Sequence, residues 1–214
     1  LRGRNINVLI DGVPQSTNRN GARILTLIDP SAIERIEVIR GATAIYGDGA
    51  TGGVVNIITR KPTDKFTNVT EVGGNVSLTH PGDSVGGLLR HTVSGTTRQG
   101  LEFLGNTAVE QTGAFFDAEG DRIPPTGTGQ GTLAETRSYN LLGKLGYKLD
   151  AKQRVTLSGQ LYHAEQDTRY TTDPSVPATP LRGFRSRAIS GLDIDKNEGT
   201  DNAQLSLDYH HSDL

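Results

Sequence analysis

The sequence contains no cysteine, methionine or tryptophan, and only 34% of its 214 residues are hydrophobic. Without cysteine the chain can form neither a disulfide scaffold nor a thiolate metal site. Its net charge of −2 gives no basic footprint for nucleic acid. No apolar run approaches the roughly 20 residues of a membrane-spanning helix. What remains is either a disordered chain or a β-structure whose strands are apolar on one face only.

Hydrophobic residues recur with a period of two from residue 66 onward, and this alternation indicates β-structure rather than disorder. In 139–149, for example, Tyr139, Leu141 and Leu145 alternate with Asn140 and Lys144. The same alternation occurs in 72–78, 85–93, 101–109, 155–161 and 205–209, which gives six strand candidates. One apolar and one polar face is typical of a half-buried antiparallel strand.

The connections between these strands alternate in length. Segments 96–100 and 150–153 are short and polar, whereas 116–135 and 167–198 are long, rich in Gly, Pro, Asp and Thr, and not periodic. The first outer connection, about 80–84, is a short exception. Short turns at one end and long loops at the other indicate an outer-membrane β-barrel, with its apolar face toward lipid and its polar face toward the lumen. Such barrels need about eight strands or more, so we expect an open portion of one.

Residues 28–62 have a different pattern. Two short apolar runs, 33–39 and 54–58, flank a span with glycine at positions 41, 47, 49, 52 and 53. The charged residues of the first run fall on both faces of a strand and must be paired or solvated. Just before it, Asp29 and Pro30 predict a brief helix with Asp29 as its cap.

The ordered motifs of this region resemble the second half of the plug domain of TonB-dependent outer-membrane receptors. They are NVLIDGV at 7–13, IDP at 28–30, IERIEVIRG at 33–41, YG at 46–47 and GGVVNIIT at 52–59. The resemblance implies a small α+β plug over 1–62 and, over 63–214, the first six or so antiparallel strands of a transmembrane barrel of about 22 strands. It also implies that the TonB box, the first half of the plug and the other strands lie outside this chain.

The same resemblance implies a receptor in the outer membrane of a Gram-negative bacterium. Such a receptor binds an extracellular ferric siderophore and imports it with energy transduced by TonB and its partners ExbB and ExbD. Outer-membrane lipid is the other expected partner. No enzyme activity, catalytic residue, cofactor or direct metal site is expected, because iron enters inside its chelator. The motifs GAFFD at 113–117 and PQSTN at 14–18 favour the citrate-hydroxamate, aerobactin-like group.

Two sets of residues are predicted to be functional. The first is a ligand-binding loop at the plug apex: Gln15, Ser16, Thr17, Asn18, Arg19, Asn20 and Arg23. Its donors, acceptors and two guanidinium groups suit the oxygens of an anionic chelate, and an ordinary solvated loop is the alternative. The second set is predicted to form ion pairs between plug and barrel, with plain solvation as the alternative. It comprises Glu34, Arg35, Glu37 and Arg40.

Two other patterns have weaker interpretations. The run GDGATG at 47–52 matches a dinucleotide-binding fingerprint, but a strand rather than a helix is predicted to follow it, so we interpret its glycines as tight turns. The acidic runs at 117–121 and 193–197 have the alternate spacing of calcium ligands. Both lack the glycine and the final glutamate of a calcium loop, which favours solvated loops.

Two other functions stay open at this point. One is a TonB-dependent receptor for another nutrient, such as cobalamin, haem or an oligosaccharide. The other is a soluble β-rich adhesin, for which the plug motifs would be a coincidence. Iron-repressed expression would favour the siderophore receptor, and solubility without detergent would favour the adhesin.

Overall fold

The structure is a computed structural model that describes residues 6–15, 28–41, 52–124, 135–167, 169–176, 187–191 and 199–212. Its strands form two main sheets, one before residue 60 and one after residue 66. Across these described ranges, no helix has the length and apolar character needed to cross a membrane.

The first sheet, called the plug sheet here, has four strands. They are β1 (Ile6–Ile10), β2 (Val13–Pro14), β3 (Ile33–Arg40) and β4 (Gly53–Thr59). Their order in space is β2-β1-β4-β3, with β1 parallel to β4 and the other neighbours antiparallel. The central strands β1 and β4 carry the buried residues, whereas the edge strand β3 is largely exposed.

A short 3-10 helix, Pro30–Ala32, leads into β3 and confirms the predicted brief helix. Asp29 is its N-cap, and the Asp29 Oδ1 atom accepts a hydrogen bond from the Ser31 backbone N–H at 2.7 Å. Proline is tolerated in this first turn because its missing N–H would have no partner in the helix. The helix lasts one turn, since β3 begins at the next residue.

The second sheet, called the wall sheet here, consists of six antiparallel strands. They are β5 (Thr67–Asn75), β6 (Gly86–Thr96), β7 (Leu101–Thr112), β8 (Thr136–Lys148), β9 (Gln153–Gln166) and β12 (Gly199–His211). All six predicted strands are present, but the first, predicted over 72–78, spans Thr67–Asn75. Residues 76–78 leave the sheet, and the Ser77 backbone N–H donates to the Ser84 hydroxyl rather than to a neighbouring strand. Between β9 and β12, the strands β10 (Tyr170–Thr172) and β11 (Ala188–Ser190) form a hairpin. This hairpin is not predicted from the sequence, because three-residue strands are too short to show a period.

The register of the wall sheet separates apolar from polar residues. On the outer face, four apolar side chains lie opposite one another: Phe103, Leu145, Leu157 and Leu207. The next positions along the same strands, on the inner face, are Leu104, Lys144, Ser158 and Ser206. The predicted alternation is confirmed, and its polar face is the one that meets the plug sheet.

The main hydrophobic cluster joins the two sheets. Its plug members are Val8, Ile10, Ile28, Ala32 and Ile57, and its wall members are Leu104 and Leu142. These two leucines lie on the largely polar inner face at the place where the plug packs. The predicted domain boundary at Pro62 lies in the segment between β4 and β5, and its exact position stays a prediction.

Candidate functional site

Among the described residues, two ion pairs connect the plug to the wall sheet. The Lys144 Nζ atom lies 2.9 Å from Asp11 Oδ2, and only 8% of the Lys144 side chain is exposed. The Arg90 Nε atom lies 3.0 Å from Asp29 Oδ1. In both pairs the plug contributes the carboxylate and the wall contributes the cation. Because a buried charge is stable only when it is paired, each wall cation favours a docked plug.

The backbone positions the Asp11 carboxylate before it meets the wall. Asp11 has a left-handed φ of 48° in the turn between β1 and β2, a conformation that aspartate tolerates better than most residues. Its Oδ1 atom accepts a hydrogen bond from the Thr59 backbone N–H at 2.8 Å. Its Oδ2 atom accepts hydrogen bonds from the Thr59 hydroxyl and from Lys144. The carboxylate therefore ties the end of β4 and strand β8 to one turn.

The Asp29 carboxylate has two roles at once, because it caps the 3-10 helix and pairs with Arg90. The Arg90 guanidinium also pairs with Glu71 at 3.1 Å and approaches Glu110 at 3.8 Å. The single arginine thus connects β5, β6 and β7 to the start of the helix. Its three carboxylate neighbours balance its charge at a position where only 17% of its side chain is exposed.

Gln15 contacts the wall through both ends of its amide. Its Nε2 atom donates to Gln204 Oε1 at 2.6 Å, and its Oε1 atom accepts from Asn202 Nδ2 at 3.1 Å. Gln15 was predicted as a ligand group, and in this structure it contacts β12. The remaining members of the predicted apical set lie outside the described residues: Ser16, Thr17, Asn18, Arg19, Asn20 and Arg23.

The predicted charged set on β3 is placed differently from the two wall pairs. Arg35 pairs with its own strand neighbours, Glu34 at 2.7 Å and Glu37 at 2.8 Å, while Arg40 is exposed. The hydrogen bond to Glu37 is the main cause of the raised pKa of Arg35. In the described part of the plug sheet β3 is an edge strand, and its side chains Glu34, Arg35 and Arg40 are exposed. Glu34 also lines a cavity of about 390 Å³ together with Glu71 and Arg90 of the wall sheet. Their pairing with a barrel wall stays a prediction.

Sequence reasoning missed the residues that do connect the two sheets. Asp11 was included as part of the motif at 7–13, and Asp29 was interpreted as a helix cap, which is correct but incomplete. A signal was available in β8, where Lys144 is a cation in the middle of a strand with no carboxylate at the neighbouring positions of the same face. Such a cation indicates a partner on another element.

The connections β5–β6, β7–β8 and β9–β12 lie at the end of the wall sheet that is opposite its tight turns. They contact one another through aromatic and charged side chains. The Arg122 guanidinium lies 3.7 Å from the Tyr170 ring centroid and pairs with Glu135 at 3.0 Å. The His80 ring stacks on Phe116 at 4.1 Å. Three successive connections are therefore packed together above the wall.

A groove of about 540 Å³ lies at the same end of the wall sheet. Its charged lining includes Arg137, Glu165, Asp167 and Arg169. The hydrogen bond from the Arg169 side chain is the main cause of the lowered pKa of Asp167. Arg137 lies opposite Glu165 on the outer face of the wall, so this groove is on the side away from the plug sheet.

The two weaker sequence patterns have structural explanations where they are described. The Asp117 Oδ1 atom accepts hydrogen bonds from the backbone N–H groups of Glu119 and Asp121, so the alternate acidic spacing belongs to a turn. The run 193–197 lies outside the described residues. Strand β4 follows the glycine run at 47–52, as predicted, and the helix that a dinucleotide site needs is replaced by this strand.

Comparisons with known proteins agree with this architecture. Residues 1–54 match the family model of the TonB-dependent receptor plug domain. The rhizobactin receptor of Rhizobium meliloti is 35% identical over 231 residues, covering 100% of this chain and 29% of that protein. The ferric aerobactin receptor of Escherichia coli is 32% identical over 216 residues, covering 99% of this chain and 29% of that protein.

Solved structures show the same fold. The siderophore receptor PirA from Pseudomonas aeruginosa aligns with a TM-score of 0.56 and 27% identity, over 79% of this chain and 27% of that one. The chain thus spans under a third of the length of these relatives. A plug sheet docked on the polar face of antiparallel barrel strands, together with these matches, places the chain in the TonB-dependent receptor family.

Proposed function

We propose that the receptor to which this chain belongs binds an extracellular ferric siderophore and imports it through a plugged barrel in the outer membrane of a Gram-negative bacterium. Energy for import comes from TonB with ExbB and ExbD, and the outer face of the wall contacts lipid. The receptor carries out no reaction and holds no resident cofactor. The iron is cargo inside its chelate.

One observation carries the choice of cargo. Relatives named as receptors for rhizobactin and for ferric aerobactin match this chain from end to end at 32–35% identity. The receptor PirA of Pseudomonas aeruginosa, named for ferric enterobactin, matches 71% of the chain at 33% identity. The rhizobactin and aerobactin receptors match both the plug and the wall, whereas PirA matches only part of the chain. This difference supports a citrate-hydroxamate chelate as cargo over a catecholate.

The docked plug supports import rather than passive flow. Asp11 and Asp29 hold the plug sheet against the polar wall, so the pore is closed until those pairs separate. Removing one partner of a buried ion pair costs about 3–5 kcal/mol, because the other charge is left buried without a partner. The energy supplied through TonB would separate the plug from the wall at these two pairs.

Uptake in cells that lack the native receptor tests the cargo. Cells expressing the intact receptor should accumulate radiolabelled ferric aerobactin only when TonB is present. Ferric enterobactin and cobalamin serve as comparison cargoes, since a vitamin B12 transporter from Photobacterium profundum is 29% identical over 77% of this chain. Accumulation of cobalamin instead of the ferric chelate would overturn the siderophore assignment.

The apical loop is tested separately. Replacing both Arg19 and Arg23 by alanine should weaken binding of ferric aerobactin, because two cations would no longer face an anionic chelate. Arg98, in a turn at the opposite end of the wall, offers a matched control as Arg98→Ala. Unchanged affinity in the double variant would show that the apical loop is not the ligand site.

A further inference from the structure

Five carboxamide side chains lie together on the inner face of the wall sheet. This amide stripe consists of Asn106, Asn140, Gln160, Asn202 and Gln204. One row runs from Asn106 through Leu142 and Gln160 to Gln204, and the next runs from Ala108 through Asn140 and Tyr162 to Asn202. These eight positions span four strands and include no charged residue. The stripe is therefore polar but neutral.

The plug covers this stripe and forms hydrogen bonds with it at two described places. Asn106 Nδ2 donates to the Ser31 hydroxyl at 3.0 Å, and Gln15 joins Asn202 and Gln204. Between these two contacts, Asn140 is 4% exposed. Within the described part of the chain, neither of its side-chain polar atoms has a hydrogen-bond partner, and neither does Asn106 Oδ1.

Unpartnered buried amides destabilise the docked plug. A buried polar atom loses its bonds to water and gains nothing in return, so leucine would suit this position better if closing the pore were its whole purpose. The wall uses leucine for that purpose at Leu104 and Leu142, which pack on the plug. Asn140 lies two residues from Leu142 on the same face, so its amide calls for a different explanation.

We propose that the amide stripe is a transit site for the cargo, which becomes accessible when the plug sheet moves away from the wall. Amides both donate and accept, so they suit the hydroxamate, carbonyl and hydroxyl groups at the surface of a ferric citrate-hydroxamate chelate. Several weak neutral contacts also allow release, whereas a row of cations would retain an anionic chelate. This inference rests on the function proposed above.

Asn140→Leu in the intact receptor tests the site, because leucine keeps the volume and removes both polar atoms. We expect the rate of uptake of radiolabelled ferric aerobactin to fall about three- to tenfold, which corresponds to the loss of one or two hydrogen bonds. Equilibrium binding to the same cells should not change. The control is Asn68→Leu, the same substitution on the outer face of β5, which should leave uptake as in the wild type.

The outcomes separate the two proposals. Wild-type uptake in the Asn140→Leu receptor, or a parallel loss of binding and uptake, would overturn the transit site alone. Asn140→Ala removes the same polar atoms without adding packing against the plug, so wild-type uptake in that receptor would assign the effect of leucine to tighter docking and would also overturn the transit site. Failure of the wild-type receptor to import ferric aerobactin would overturn the proposed function, and the transit site for this cargo with it.

A second measurement keeps the transit site testable if Asn140→Leu does not fold. The chain contains no cysteine, so Asn140→Cys introduces one at the stripe. A maleimide should label it in cells supplied with ferric aerobactin and energy, and labelling should drop at least tenfold when an uncoupler is added. Labelling that is independent of energy and cargo would show that the stripe is not uncovered during transport.

Discussion

The plug sheet and the wall sheet are both built of strands, but they bury their residues in opposite ways. In β1 three consecutive apolar residues, Val8, Leu9 and Ile10, are buried. In β7 every second residue is buried, and two of these, Glu102 and Asn106, are polar. Apolar residues of the wall remain exposed instead, with Leu207 at 71%.

This difference shows what surrounds each sheet. A plug strand with both faces against protein shows no alternation of apolar and polar residues. A wall strand between a polar interior and an apolar exterior alternates them with a period of two. The wall sheet thus buries polar residues and exposes apolar ones, which is the reverse of a sheet in a soluble protein. It meets the plug through charges and amides, except at Leu104 and Leu142.

The largest effect is expected from Leu142, where the two sheets share a core. Leu142→Ala removes a side chain that is 2% exposed and should lower the free energy of unfolding of the docked plug by about 2–5 kcal/mol. Its neighbour Leu141 lies on the outer face with 48% exposure, so Leu141→Ala should cost far less. Urea unfolding of the detergent-solubilised receptor measures both. Equal losses would contradict the assignment of the two faces.

A substitution at Asp11 tests the ion pair with Lys144 that also joins the plug to the wall sheet. Asp11→Asn keeps an acceptor for the Thr59 backbone N–H and tolerates the left-handed turn, but it leaves Lys144 without its carboxylate. Since the Asp11 side chain is 23% exposed, we expect a loss of about 3 kcal/mol, the low end for a broken buried pair.

Lys144→Met in the same receptor provides the control for Asp11. It removes the buried cation, so the double variant Asp11→Asn with Lys144→Met should recover part of the stability lost by Asp11→Asn alone. Strictly additive losses in the two variants would show that the two residues do not interact.

Gly53 tests the backbone of the plug sheet. Gly53 has a φ of 132°, and an added Cβ would lie 2.3 Å from the Ile39 carbonyl oxygen. Gly53→Ala should therefore destabilise the β3–β4 pair by about 1–3 kcal/mol. Gly143→Ala in the wall is the matched control, because an added Cβ there meets no atom within 4 Å. A similar melting temperature for both variants would contradict this prediction.

The smallest effect is expected at the β10–β11 hairpin. A hydrogen bond from the Ser175 hydroxyl is the main cause of the lowered pKa of Asp173, which falls to about 2, and Arg187 adds a further bond. Because the folded pKa is below the ordinary value of about 3.9, this carboxylate stabilises the hairpin above about pH 4. That stability is lost as the pH falls toward 2.

Hydrogen exchange of the β10–β11 amides between pH 5 and pH 2 measures this local effect. Protection factors should decrease with pH in the wild type. They should be lower and independent of pH in Asp173→Asn, which cannot ionise. A wild-type profile that is flat across this range would rule out Asp173 as the cause.

Sequence alone determined the class of the fold and most of the strands. The period of two predicts the six wall strands and their faces, because alternation follows directly from strand geometry. Asp29 and Pro30 predict the one-turn helix, since capping is a local interaction. The short β10–β11 hairpin could not be predicted, because three residues carry too little periodicity.

Only the tertiary structure decided which polar residues connect the plug to the wall. Local patterns drew attention to the dense charges of β3, yet Arg35 pairs within its own strand. The ion pairs with the wall that the described residues form come from Asp11 and Asp29, which are separated from Lys144 and Arg90 by 133 and 61 positions in the chain. Pairing over such distances depends on how the sheets dock, and the spacing of residues along a strand carries no information about it.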